Sequence, residues 1–187
     1  WLPTHEFGIL NAWIAVVLYL IPMLLTVIRT RGVFRKTVSV FSASRTRAEY
    51  AFFVGSKLLM LVFFLYSILV PVAIHTGWAA AGAAVFLLGY ASYVGAWISI
   101  ATAPRDKVFT GGLYRYSRHP IYVSSAVVFV GTGLASGSVV YLALAVLVGI
   151  SHLSHAYTEE RICLSVFGDD YRDYAARTPR WVGLPRR

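Results

Sequence analysis

The chain has 187 residues, 58% of them apolar and only 13% charged, with a formal net charge of +9. An ordinary soluble domain is about one quarter charged, so a soluble monomeric enzyme of this size is excluded, and the high hydrophobicity excludes intrinsic disorder. A basic surplus suits either nucleic acid or an anionic membrane surface; apolar runs of about 20 residues, enough to cross ~30 Å of hydrocarbon, decide for the membrane.

A single domain over residues 1–187 is expected. Trp1 stands where an initiator methionine would, which reads as a processed or trimmed start. The first apolar run lacks the basic flank and small-residue cleavage site of a signal peptide. Cys163 is the only cysteine, so neither an intrachain disulfide nor a cysteine-based metal cluster is available.

The first predicted span covers residues 8–28, with Asn11 and Pro22 tolerable in a buried membrane helix. The second covers 51–74 and carries Lys57, whose long stem can snorkel to the headgroups. The third covers 78–100 and starts with Ala79, Ala80, Ala81, Gly82 and Ala83, small residues that permit close helix approach. The apolar stretch from 121 to 157 is too long for one span, and Gly131, Gly133, Gly137 and Ser138 interrupt it. It reads as a hairpin of a short fourth helix, 120–135, and a fifth, 139–157. The fourth, about 24 Å long, is short for a full crossing.

Basic residues orient these spans. Arg29, Arg31, Arg35, Lys36, Arg45, Arg47 and Lys57 lie between or just inside the first two; Arg105, Lys107, Arg115 and Arg118 lie between the third and fourth. Arg161, Arg172, Arg177, Arg180, Arg186 and Arg187 lie in the tail. By the positive-inside rule the N-terminus is outside, while the tail and both basic connectors are cytoplasmic. The expected fold is therefore all-α: a polytopic membrane protein with five transmembrane helices, the last two a hairpin, and a cytoplasmic C-terminal helical tail.

Polar chemistry concentrates in two cytoplasmic segments. In the connector, Pro120 suits the first turn of a helix, whose free N–H groups favour an anion. Arg118 adds a guanidinium fork and His119 a donor or acceptor. An interfacial anchor of tyrosines and arginines is the plainer reading of the same residues. At the far end of the fifth helix, His152, His155 and Glu159 are spaced by three and four and share a face. Adjacent Glu159 and Glu160 diverge, so one can meet a ligand and the other an arginine. A solvated acidic helix end competes with this reading. A metal at His152, His155 and Glu159 has the spacing but no supporting ligand cluster. In the tail, Gly168 ends a helix, Asp169 can cap the next, and Arg180 and Trp181 are placed at the interface. Phe41, Phe52 and Phe53 read as core or lipid contacts.

Paired carboxylates, an anion-seeking helix start and aromatic rings suit a zwitterionic cofactor such as S-adenosylmethionine, with an arginine or helix N–H groups on its carboxylate, a glutamate on its ammonium or ribose diol, and tyrosine faces on adenine or sulfonium. A nicotinamide cofactor would also use arginines and tyrosines.

The block GGLYRYSRHPIY (111–122), the EE pair (159–160) and FGDDYRDY (167–174) resemble the membrane methyltransferases of the isoprenylcysteine carboxyl methyltransferase and phospholipid N-methyltransferase group. The resemblance covers residues 100–182, and the first two spans match only in character. It implies a five-span core, S-adenosylmethionine at the cytoplasmic face over 100–182, and a lipophilic acceptor entering from the membrane lipids, with no nucleic acid partner. It places cofactor binding on Arg118, His119, Tyr122, Glu159, Glu160, Tyr171, Tyr174 and Arg180, and catalysis on Glu159 and Tyr122, with no metal; His155, on the Glu159 face of its helix, is a further catalytic candidate from the sequence itself. The implied location is an integral membrane protein, in the plasma membrane if the source is prokaryotic. The isoprenylcysteine branch carries an arginine for the acceptor carboxylate four residues before the acid pair; here that position is His155, which can instead orient or deprotonate a thiol, amine or hydroxyl. Membrane sterol reductases, which use a nicotinamide cofactor, carry a similar RHPxY block but an asparagine after HP, where this chain has Ile121. A non-catalytic membrane scaffold of the same shape is the third alternative.

Overall fold

The computed structural model describes residues 8–30, 45–73, 76–103 and 107–186. Its helices are α1 (Trp13–Arg29), α2 (Arg47–Ser67), α3 (Gly77–Ala101), α4 (Pro120–Ser136), α5 (Val139–Phe167) and α6 (Asp169–Arg177), with a 3-10 turn at Gly112–Arg115. There is no β-strand among the described residues. Of these helices, α2, α3 and α5 are long and apolar enough to cross a membrane, whereas α1 and α4 are shorter apolar helices. Leu24, Leu25, Leu58, Leu61, Leu87, Leu88, Leu147 and Ile150 are exposed on the outer surface, as befits helices solvated by lipid. Arg31, Arg35, Lys36, Phe41, Arg105 and Arg187 lie outside the described residues.

The α3–α4 pair is built on missing side chains. A Cβ on Gly82 would stand 2.2 Å from the Ala135 nitrogen, and one on Gly131 would stand 2.4 Å from the Phe86 nitrogen. Glycine alone allows backbones this close, which gives lipid-embedded helices their dispersion contact. Gly131 and Gly133 lie inside α4, within the 120–135 helix expected from the sequence. The break falls at Gly137, whose φ of 65° ends α4, and Ser138 then caps α5 by accepting from the Tyr141 N–H at 3.2 Å.

Two predicted boundaries move for one reason. The first helix starts at Trp13 rather than 8, and the second ends at Ser67 rather than 74. The segments outside them meet in an isolated antiparallel bridge at Asn11 and Pro71: the Ala12 N–H donates to the Val70 carbonyl and the Val72 N–H to the Leu10 carbonyl, both at 2.9 Å, while Asn11 Nδ2 donates to the Ile68 carbonyl at 2.8 Å. Pro71 lacks an N–H and cannot sit inside a helix cheaply. The two segments therefore satisfy each other's backbone groups.

The larger difference is α5, which runs to Phe167, not Tyr157. Between Tyr157 and Gly168 there is no glycine or proline to end it. At 1.5 Å per residue it is about 44 Å long, some 14 Å more than the hydrocarbon of a bilayer. Its last turns carry the acid pair on a rigid helix. Gly168, with φ 55°, turns the chain directly into α6, so it occupies the cap position expected of Asp169, which is the first residue of α6 and pairs instead with Arg172.

Aromatic rings fill the bundle among α1, α2, α3, α4 and α5. Tyr19 stacks on Tyr93 at 4.5 Å, Phe63 on Tyr141 at 4.6 Å, and the Tyr19 hydroxyl meets Ser125 Oγ at 3.2 Å.

Candidate active site

The site begins with a strap. Residues after α6 turn back along the connector before α4: the Arg118 N–H donates to the Pro179 carbonyl at 2.9 Å and the Gly183 N–H to the Tyr116 carbonyl at 3.0 Å. Ser117 Oγ donates to the Arg180 carbonyl at 3.4 Å and accepts from the His119 N–H at 3.1 Å. Beneath, the buried Tyr171 and Tyr174 rings meet edge to face at 5.8 Å, and the Tyr174 hydroxyl donates to the Tyr114 carbonyl at 2.8 Å. Burial pushes both phenols above their ordinary range. This anchoring is what carries Arg180 inward.

The acid pair divides its work. Glu160, buried, receives Arg180 Nε at 2.9 Å and Nη2 at 2.8 Å, a bidentate fork, together with Arg118 Nη1 at 3.1 Å and His119 Nε2 at 3.1 Å. Charge-assisted forks of this kind are among the stronger hydrogen bonds in proteins. Glu159, one position earlier, points elsewhere: Oε1 accepts from the Tyr122 hydroxyl and Oε2 lies 3.7 Å from His119 Nδ1. Its side chain stays 29% exposed against 10% for Glu160. One acid is thus neutralised by two arginines, while the other presents a carboxylate edge outward.

His119 joins the two. Burial works against its charged form, but the hydrogen bonds and charges of Glu159 and Glu160 outweigh that and hold the ring above its ordinary value. Its ring lies parallel to Tyr122 at 5.7 Å and tilted to Trp181 at 6.1 Å. The Arg180 guanidinium lies 4.5 Å over the Tyr157 ring. Arg118 Nε is buried and makes no hydrogen bond.

A second group of rings adjoins the first from α2. His152 and His155 both lie near Tyr122, at 5.9 and 6.5 Å between ring centres. His155 is walled by Phe52 at 5.2 Å and Phe53 at 5.6 Å, and its Nε2 lies 2.8 Å from Ser56 Oγ. Phe52 and Phe53 are therefore walls of this cluster as well as apolar residues of α2. Among the described residues, no group of three histidine, cysteine or acidic side chains is arranged to hold a metal.

The structure thus gathers Arg118, His119, Tyr122, Glu159, Glu160 and Arg180 into one constellation, with His155 at its edge against α2 and Tyr171 and Tyr174 underneath. Sequence reasoning missed Ser56, which carries no motif. It also missed the Arg161–Glu49 ion pair, 2.7 Å, which ties the start of α2 to the end of α5. A signal for that lock was present: Thr46-x-x-Glu49 is a capping box, which α2 uses.

Residues 79–170 match the phospholipid methyltransferase family. Over 89 residues the chain is 35% identical to the protein-S-isoprenylcysteine O-methyltransferase of Schizosaccharomyces pombe, covering 46% of this chain and 38% of that protein. The chain spans less than half the length of that relative.

Proposed function

We propose, from the membership of residues 79–170 in the phospholipid methyltransferase family, that this membrane protein transfers a methyl group from S-adenosylmethionine to a lipophilic acceptor. The observation that carries the proposal is the unequal use of two adjacent acids, Glu160 held by Arg118 and Arg180, Glu159 half-turned outward beside Tyr122 and His119. The family likeness supports the methyl-transfer class; the acceptor and the residue roles rest on the chemistry of the gathered side chains.

The residues fit the cofactor's chemistry. The Glu159 carboxylate suits its ammonium, the unpartnered Arg118 Nε–H and the start of α4 suit its carboxylate, and the Tyr122, Tyr157 and Trp181 rings suit adenine and sulfonium. Bound there, the cofactor supplies a methyl group on a sulfonium, already a good leaving group. The protein's share is orientation and exclusion of water. Glu160, locked by its arginines, fixes His119; His119 and Tyr122 fix Glu159; the strap covers them. Holding two reactants in line is worth many powers of ten in rate, and a site poor in water favours the charge neutralisation between a cationic donor and a nucleophile. Residues 100–182 form the cofactor-binding part of a single domain, five helices cross the bilayer, and the basic connectors and tail place the site at the cytoplasmic face. The acceptor then arrives sideways from the lipid, past α2 and α5.

The test is mass spectrometry of lipid extracts incubated with the protein in nanodiscs and methyl-labelled S-adenosylmethionine, beside calorimetric titration with that cofactor and with NADPH. Label in a lipophilic product and binding of S-adenosylmethionine alone are expected. Binding of NADPH alone would replace the reading with a reductase, and binding of neither would leave a scaffold.

A further inference from the structure

We infer that Ser56 is a positioning residue that makes His155 a proton acceptor, and that the methyl acceptor is accordingly a protic nucleophile, an S–H or N–H group, rather than a carboxylate. This rests on the methyltransferase reading above and adds a substrate class to it.

One hydroxyl proton is available for two contacts of Ser56. Ser56 Oγ stands 2.8 Å from the Phe53 carbonyl and 2.8 Å from His155 Nε2. A hydroxyl has one proton, and a carbonyl can only accept, so that proton goes to Phe53. Ser56 therefore offers His155 a lone pair, and Nε2 must be the nitrogen that donates. In a neutral imidazole the other nitrogen, Nδ1, is then the acceptor. The arrangement is buried: Ser56 is 8% exposed and His155 is 6% exposed. It is also rigid, because Ser56 is held by its own helix and the imidazole is packed between Phe52 and Phe53. The charged groups that bear on the ring are Lys57 and Arg45 from the α2 side and Glu159 from its own helix, and the His152 ring stands 6.4 Å away.

A carboxylate acceptor is already ionised near neutral pH and has no proton to lose. Lys57 and Arg45 bring positive charge near the ring, but an imidazole lone pair repels a carboxylate and finds no proton on it to take. A thiol or amine carries one. Its lone pair forms the bond to the methyl carbon while the carbon–sulfonium bond breaks and leaves its electron pair on sulfur as a neutral thioether. The proton of the S–H or N–H group goes to His155 Nδ1 and from there to water. The charge lost by the sulfonium appears on the imidazolium.

The test uses the full chain in nanodiscs with 15N-labelled histidine. In the wild type, the signals absent from His155→Gln should comprise an unprotonated Nδ1 and a protonated Nε2. Ser56→Ala should lose this single-tautomer signature and Ser56→Thr should keep it. With lipophilic thiols, amines and carboxylates offered in parallel, methylation of the thiol or amine is expected. A proton-accepting group in the reacting complex contributes about 10²-fold or more, so kcat should fall about a hundredfold in His155→Gln. It should fall about tenfold in Ser56→Ala and recover in Ser56→Thr, with S-adenosylmethionine affinity by calorimetry unchanged throughout. A protonated Nδ1, a spectrum indifferent to Ser56→Ala, or turnover of carboxylates alone would overturn the inference while leaving the methyltransferase reading standing. Failure to bind S-adenosylmethionine would overturn both.

Discussion

Glu159 and Glu160 are chemically identical and one residue apart, yet the structure gives them opposite burdens. Glu160→Gln strips the countercharge from Arg118 and Arg180. Breaking a buried ion pair by removing one partner costs about 3–5 kcal/mol, and the one-third exposure of Arg180 puts this case at the low end. A thermal melt in detergent should show a drop of several degrees. Glu159→Gln removes no arginine contact, so its melt should stay near wild type while calorimetry shows cofactor affinity falling at least tenfold. Equal melts for both variants would mean that the pair is not divided as described. His119 adds a pH signature. Its value is raised above the ordinary 6.5 by the two acids. Its contribution to stability is therefore complete below 6.5, and is lost as pH rises through the higher folded value. Melting temperature should decline above neutrality in the wild type, and His119→Gln should flatten that decline.

At the level of helices, close approach and capping set the frame that holds those residues. Gly82→Val and Gly131→Val each push a branched side chain into the opposing backbone, at positions where even a Cβ would stand 2.2 and 2.4 Å from it. Neither backbone can yield as a flexible side chain would, so both variants should express poorly or melt far below wild type. Gly55→Ala, with nothing within 4 Å of the added carbon, should be tolerated and serves as the control. Thr46→Ala loses the cap of α2, worth about 1 kcal/mol, and frees Glu49 to drift from Arg161. A modest fall in melting temperature should accompany it.

For the whole molecule, the site exists because the tail returns. A chain ending after Arg177 keeps every helix but loses Pro179, Arg180 and Gly183, hence the strap bonds and the fork on Glu160. It should still insert into membranes and should bind S-adenosylmethionine at least tenfold more weakly. Wild-type affinity in that truncation would remove the strap from the site. Orientation is checked separately: in a Cys163→Ser background, Leu184→Cys should react with an impermeant maleimide from the cytoplasmic side and Val139→Cys should not.

Hydropathy and charge placement alone settled that this is an all-helical membrane chain, because burying about twenty apolar residues per segment leaves few alternatives in lipid. They also located the polar chemistry, since Arg118, His119, Glu159 and Glu160 stand out in apolar surroundings where ionised groups are costly. Helix ends were less legible. Pro71 and the paired segments around Asn11 ended helices through contacts between residues 57 or more apart, and the last span ran on past Tyr157 to Phe167. Only the tertiary structure assigned one glutamate to the arginines and the other to the open side, because adjacent positions on a helix face different neighbours. It alone brought Ser56 to His155, 99 residues away, for a serine hydrogen-bonded within its own helix has no sequence mark until a partner across the bundle takes its remaining lone pair.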